Sequence, residues 1–174
     1  DEVQTGIGRT GTRFAYEQTV LKPHTVSMAK GLGGGFPIGG ILGVAELFNT
    51  FNAGTHGTTF GGNPLAVAVA QTVVDIVFKP SFLENVQELS AYFVEQLKTH
   101  LPSTFSVQGK GLMLGLYCGG EDVAPLVAKL DEAGLLTVAA GPKVIRLLPP
   151  LTVTKEEIDE AVTLLKNTLT VNLV

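Results

Sequence analysis

A chain of 174 residues with 45% apolar and 16% charged residues is long enough to bury a sizeable core and too apolar to remain disordered. Twelve Lys+Arg against sixteen Asp+Glu leave a net charge of −4, so no polybasic face for a phosphate backbone is expected and nucleic acid is excluded as a partner. The single cysteine, Cys118, rules out an internal disulfide and fits a reduced compartment.

The first sixty residues read as loop-rich. Two short apolar runs, residues 25–28 and 38–44, are predicted to be buried strands of a parallel sheet. The glycine clusters at 31–35 and 61–62 read as loops. Asn63 followed by Pro64 is an N-cap with proline at the first helical position. The helix it opens, to Phe78, is apolar on nearly every side and is expected to be buried. Gln71, Thr72 and Asp75 interrupt that stretch, no run of 18 apolar residues exists, and no membrane partner is expected.

Lys79-Pro80 stops this helix, and Ser81 with Glu84 spells a capping box for the next. Phe82, Val86, Leu89, Phe93, Leu97 and Leu101 then recur at helical spacing until Pro102. Residues 112–118 read as a strand after a turn at Gly109-Lys110-Gly111. Residues 123–133 read as a helix capped by Gly134. Strands are predicted at 135–139 and 144–148, on either side of Gly141-Pro142. Thr154 and Glu157 spell a last capping box, followed by a helical face of Ile158, Ala161, Val162, Leu165 and Leu169. Mixed strands and helices predict a small α/β or α+β domain from about Pro80 onward, residues 80–174, behind a first part of residues 1–79.

Four groups carry candidate chemistry. Gly6-x-Gly8-x-x-Gly11 matches a dinucleotide fingerprint by spelling, but neither a strand before it nor a helix after it is evident. Lys30 follows an apolar run and precedes glycines. It is either a solvated surface lysine or a half-buried amine with a lowered pKa, able to attack an aldehyde as a Schiff-base nucleophile. Asp1 and Glu2 are either ordinary loop carboxylates, or one of them pairs with a cofactor cation such as a pyridinium nitrogen and keeps that ring electron-accepting. Arg146 is either a strand arginine with an exposed head or a planar fork for a substrate carboxylate. His24, His56 and His100 do not cluster, His56 alone being a candidate to line a site, and no metal-ligand spacing is present.

Asp1-Glu2-Val3-Gln4-Thr5-Gly6-Ile7-Gly8-Arg9-Thr10-Gly11 resembles the signature segment of the class III aminotransferases, enzymes of fold type I that use pyridoxal 5′-phosphate. Residues 29–39, Ala-Lys-Gly-Leu-Gly-Gly-Gly-Phe-Pro-Ile-Gly, resemble that family's Schiff-base lysine segment. Residues 56–64, His-Gly-Thr-Thr-Phe-Gly-Gly-Asn-Pro, resemble its phosphate-binding turn. The resemblance covers essentially the whole chain. It implies an α/β fold in which residues 1–79 are the C-terminal part of the cofactor-binding large domain and 80–174 the small C-terminal domain.

By the same resemblance, Asp1 binds the pyridinium nitrogen, Val3 packs on a face of the ring and Gln4 hydrogen-bonds near its phenolic oxygen. Lys30 forms the Schiff base and moves the proton. Thr59 reaches the phosphate of the neighbouring subunit's cofactor in a homodimer. Thr58 lies at the substrate entrance, and Arg146 holds a substrate carboxylate. The implied substrates are a small amino donor and 2-oxoglutarate. The spelling around Thr58 and Arg146 is closest to the family branch acting on N-acetylornithine in arginine biosynthesis, with branches acting on ornithine or 4-aminobutyrate as alternatives. From another class, a non-catalytic nucleotide-binding module built on Gly6-x-Gly8-x-x-Gly11 is the rival. The resemblance further implies a cytoplasmic enzyme (mitochondrial or plastid in a eukaryote), with an N-terminal half upstream of Asp1 and no activity for this stretch alone.

Overall fold

The computed structural model describes residues 1–120 and 122–170, and they fall into two units, one ending at Glu84 and the other beginning at Asn85. In the first unit, β1 (Thr25–Met28) and β2 (Gly40–Gly43) pair antiparallel, with Val26 opposite Leu42 and Met28 opposite Gly40. The expectation of a parallel sheet is therefore corrected. Only residues 29–39 separate the strands, too short a path for the crossover that parallel neighbours need. Nor is β2 buried: Ile41 is 56% and Leu42 53% exposed.

A short helix, α1 (Ala45–Phe48), follows, and then α2 (Pro64–Val77). The predicted cap of α2 is present. Asn63 Oδ1 accepts from Ala66 N at 2.9 Å, while its Nδ2 donates to Phe60 O at 2.8 Å. The expected burial of α2 is not. Its buried residues are Ala66, Ala70 and Val77, while Leu65 is 62% and Val67 50% exposed. The helix packs on the 3-10 turn Lys30–Gly33, and Val73 Cγ2 lies 3.0 Å from where a Cβ on Gly34 would stand. An apolar helix pattern without a polar stripe does not tell which side turns inward.

The second unit is built on a four-stranded antiparallel sheet of order β3-β4-β6-β5, with β3 Phe105–Lys110, β4 Met113–Cys118, β5 Val138–Ala139 and β6 Val144–Leu147. Strand β4 alternates as the pleat dictates: Leu114, Leu116 and Cys118 are buried, and across from them β6 supplies Ile145 and Leu147. The helices α3 (Pro80–His100), α4 (Ala124–Glu132) and α5 (Lys155–Thr170) complete it. Val86, Leu89, Phe93 and Leu97 of α3 and Ile158, Val162 and Leu165 of α5 are shut into its core. Tyr92 Oη donates to Asp159 Oδ1 at 2.7 Å and ties α3 to α5, and Ser90 Oγ donates to Gly111 O at 2.6 Å and ties α3 to the β3–β4 hairpin.

The capping box of α5 is reciprocal: Glu157 N donates to Thr154 Oγ1 at 3.2 Å and Thr154 N to Glu157 Oε2 at 2.8 Å. Gly134, with φ +89°, ends α4 as expected, and Leu135 N reaches back to Leu130 O at 2.8 Å. Three readings are corrected. Ser81 lies inside the first turn of α3, because the helix begins at Pro80 and Lys79 O accepts from Phe82 N and Leu83 N. Gly109 and Lys110 belong to β3, which moves the turn to Gly111-Leu112. The strand predicted over 135–139 shrinks to Val138–Ala139, since the backbone of Leu135 is spent on capping α4. Among the described residues no single helix is long and apolar enough to cross a membrane.

Candidate active site

The first eighteen residues form a loop folded around one buried carboxylate. Glu2 is 6% exposed; its Oε1 accepts from Tyr16 N at 2.9 Å and its Oε2 from Thr5 Oγ1. Its backbone N donates to Ser27 O at 2.9 Å, and its carbonyl accepts from Gly6 N at 3.0 Å. Both oxygens of this side chain are therefore committed inside the loop. Asp1 is the opposite case. It is exposed, and Oδ1 accepts from Val3 N at 2.8 Å and from Ser27 Oγ at 3.4 Å. Hydrogen bonds of this kind fix its orientation. Of the two adjacent carboxylates, Asp1 alone is placed to face a ligand.

Ser27 was not read from the sequence as a site residue. Its signal is the alternation of β1, where Val26 and Met28 are buried and Ser27 between them points to the other face. Through Ser27 the Asp1 segment is bonded to the strand that delivers Lys30. Val3 and Gln4 are half-buried beside it. Lys30 begins the 3-10 turn in a left-handed conformation, φ +44°. The half-buried setting expected for it is corrected: Lys30 is exposed. The turn is backed by Ile7 from the signature loop and by α2, and the glycines that follow offer no side chain to cover the amine. Burial pushes the Arg9 guanidinium of that loop down from its ordinary value.

The glycine triplet Gly6, Gly8 and Gly11 lies in a run of turns followed by a 3-10 turn at Ala15–Gln18, with neither a strand before it nor an α-helix after it. That is not the strand-to-helix setting in which such a triplet cradles a dinucleotide.

A second constellation brings the far end of the lysine loop to the predicted phosphate turn. Phe36, Pro37, Ile38 and Gly39 line an open groove of about 580 Å³ together with Thr58, Phe60, Gly61, Gly62, Asn63 and Ala66. Thr58 Oγ1 accepts from Gly61 N at 3.2 Å, and a Cβ on Gly61 would overlap Thr58 Cγ2, so glycine is required for this turn. Thr58 and Thr59 are both exposed. His56 lies against the edge of Phe51 and beside Thr55 Oγ1, outside the groove lining. Arg146 belongs to the second unit, on β6 between Gly115 and Val138, with the buried Ile145 and Leu147 pointing to the opposite face. Among the described residues no group of His, Cys, Asp and Glu is placed to hold a metal.

The first unit thus offers a fixed carboxylate, an uncovered primary amine, two hydroxyls on a glycine turn and a groove behind helix α2. A carboxylate facing outward suits a protonated ring nitrogen, an amine suits an aldehyde, and hydroxyls suit a phosphate. The donor set fits pyridoxal 5′-phosphate.

Comparison with known proteins gives a consistent result. The family model for aminotransferase class-III matches residues 1–169. The acetylornithine aminotransferase of Bacillus subtilis is 53% identical over 97% of this chain and 44% of its own length, and that of Listeria innocua 45% identical over 100% and 46%. Among solved structures, the ornithine aminotransferase of Plasmodium yoelii superposes with a TM-score of 0.89 at 35% identity, covering 98% of this chain and 47% of that one. The chain spans less than half the length of these relatives.

Proposed function

The chain belongs to the class-III aminotransferases, and from that premise we propose that it forms part of an enzyme moving the side-chain amine of N-acetylornithine to 2-oxoglutarate, giving N-acetylglutamate semialdehyde and glutamate in arginine biosynthesis. The cofactor is pyridoxal 5′-phosphate, which when bound supplies an aldehyde carbon for the amine and a ring that takes up electrons as the C–H bond breaks. The observation that carries the assignment of roles is the division of labour between the two adjacent carboxylates. Glu2 is consumed in holding the loop. Asp1 stands exposed with its Oδ1 fixed by Val3 and Ser27, on a segment bonded to β1, the strand that leads into the turn beginning at Lys30.

In this reading Asp1 holds the ring nitrogen protonated. Val3 packs on the ring and Gln4 bonds its phenolic edge. The Lys30 amine holds the aldehyde carbon, and once displaced by substrate it takes and returns the proton of the amine-bearing carbon. Thr59 binds the phosphate of a second subunit, Thr58 borders the substrate entrance, and Arg146 grips a substrate carboxylate with its planar fork. A homodimer agrees with the apolar side chains that the first unit leaves exposed around this turn, Phe60, Leu65 and Val67. The substrate assignment rests on the names of the relatives at 45–53% identity.

The test is amine-donor preference in the enzyme that contains this chain, with Lys30→Ala beside it. N-acetylornithine is expected to give the highest kcat/KM. Lys30→Ala is expected to lose the visible absorption of bound cofactor and several orders of magnitude in turnover. A higher kcat/KM for ornithine or 4-aminobutyrate would replace the substrate, and near-normal turnover by Lys30→Ala would end the mechanism.

A further inference from the structure

Strand β4 runs between β3 and β6. Its face turned away from the buried Leu114, Leu116 and Cys118 carries Met113, Gly115 and Tyr117, all half-buried. Gly115 stands opposite Gln108 on β3 and Arg146 on β6, and opposite residues of an antiparallel pair share a face. One row of the sheet therefore reads Gln108, Gly115, Arg146, Val138, with a bare position between two long polar side chains. Around the point where a Gly115 Cβ would stand, the described residues bring only Val144 Cγ1, at 3.0 Å, and the backbone Gln108 O, at 3.9 Å, within 4 Å. No side-chain atom of Arg146 or Gln108 fills the gap. The backbone does not demand glycine here, since Gly115 is not among the residues of positive φ and the register on both sides is unbroken. Glycine inside a central strand weakens it. Where neither bulge nor bend asks for it, it marks the close approach of a ligand or of another backbone.

We propose that Gly115 is a specificity-determining residue: its missing side chain leaves a bare floor beside Arg146, on which the carboxylate-bearing end of the substrates lies. This deepens the reading of Arg146 as the fork for a substrate carboxylate and rests on it. The chemistry admitted is a carboxylate together with the carbon that carries it, the feature that the amino donor and 2-oxoglutarate share. Packing within the sheet does not account for the glycine. An alanine there would meet one methyl group of Val144, a side-chain atom on the half-buried face, and no backbone atom closer than Gln108 O. A side chain at this position would occupy the floor and hold the carboxylate off the guanidinium, so the loss falls on substrate binding rather than on the proton transfers at Lys30.

The experiment uses the holoenzyme containing this chain and reads KM for N-acetylornithine and for 2-oxoglutarate, kcat, inhibition by glutarate as an unreactive dicarboxylate, and Tm. Gly115→Ala is expected to raise both KM values about threefold and Gly115→Val about tenfold, with kcat within about twofold and glutarate inhibition weakened in step. Tm is expected to hold or rise, because alanine and valine suit a strand better than glycine. Ser106→Val, on the same face but opposite Tyr117, is expected to leave both KM values at wild type. Unchanged KM values in the Gly115 variants overturn the proposal, and a lowered Tm beside them assigns the bare position to packing. Equal loss in Ser106→Val overturns it as well. Should the valine variant not fold, Gly115→Ala combined with Val144→Ala decides. That pair removes the one close side-chain neighbour and is expected to keep the raised KM values; a return to wild type makes crowding of Val144 the cause and overturns the proposal. If Arg146→Lys leaves both KM values unchanged, the reading of Arg146 itself falls. That result is distinct from a failure at Gly115, in which Arg146→Lys weakens binding and the Gly115 variants do not.

Discussion

From Asn85 onward, leucine, isoleucine and valine occupy alternate strand positions and helical stripes, and Leu97, Leu116, Ile145, Ile158 and Leu165 are closed off from solvent. Before that point the same residue types stand in the open at Ile41, Leu42, Leu65 and Val67, while the buried groups include a carboxylate, Glu2, and a strained isoleucine, Ile7. One unit is held by side-chain packing around an antiparallel sheet. The other combines a smaller buried set, Phe14, Val26, Met28 and Leu32 among it, with a net of backbone hydrogen bonds through loops. In the proposed reading the difference is that between a scaffold and a site: packing stabilises a fold, whereas loops hold Asp1, Lys30 and Thr58, the residues proposed to carry the chemistry.

If the comparison holds, truncation in the second unit is expected to damage stability far more than truncation in the first. Leu116→Ala, on the central strand β4, is expected to cost about 2–5 kcal/mol, since it combines lost transfer energy with a cavity that the sheet cannot collapse. Val67→Ala on the open side of α2 is expected to stay within about 0.5 kcal/mol. Denaturant unfolding of the two variants checks this, and a Val67→Ala loss as large as that of Leu116→Ala would show that α2 is covered in the working protein.

Activity is expected to reverse the order. Asp1→Asn keeps the shape and the acceptor oxygen for Val3 N but removes the charge, and turnover is expected to fall roughly a hundredfold or more, as when a preorganised electrostatic partner is lost. Stability should hardly change, because Asp1 is exposed. Wild-type turnover in Asp1→Asn would return the role to Glu2 or to neither. Arg146 tests the other unit's share in the chemistry. Arg146→Lys keeps the charge and loses the fork, and is expected to weaken binding of both the amino donor and 2-oxoglutarate by about 1–3 kcal/mol. Unchanged KM values for both would make the second unit a scaffold only.

The two units also differ in how far their sequences could be read. Helix ends in the second unit are written in local chemistry: Thr154 with Glu157, and Gly134, cap where their residue types demand. Strand β3 was not anticipated, although Phe105, Val107 and Gly109 alternate with Ser106, Gln108 and Lys110. The glycine and lysine that end it carry the composition of a turn, and pairing with β4 overrides that preference. In the first unit the motifs were legible and the geometry was not. An apolar run before Lys30 reads as buried parallel strand until the short return to β2 forces antiparallel pairing. The apolar surround of α2 does not reveal that Ala66, Ala70 and Val77 face inward. Nor does a glycine-rich loop announce that its isoleucine carries the strained backbone: Ile7 at positive φ is visible only once the loop is folded.

The smallest expected effect lies on the surface of the well-packed unit, where α3 meets α5. Tyr92 Oη donates to Asp159 Oδ1, and the ring lies 5.2 Å from Lys155 Nζ. The hydrogen bond to Asp159 is the main reason that the phenol is raised above its ordinary 10.0; desolvation and the charges of Asp159, Glu156 and Glu95 add to it. A group whose proton is held more tightly in the folded state stabilises that state fully below its unfolded pKa. The contribution is lost as pH rises through the folded value. Tyr92→Phe keeps the ring over Lys155 but removes the hydroxyl, so it is expected to lower Tm slightly at pH 8, the gap from wild type closing once the pH passes the raised value. Because the hydroxyl is fully exposed, the effect is expected to be the weakest of the series. Thermal melts of both proteins from pH 8 to 11 measure it. A gap that stays constant or widens with pH would mean that the helices are held by ring packing and charge alone, and that the hydrogen bond between them contributes nothing to the stability of the scaffold.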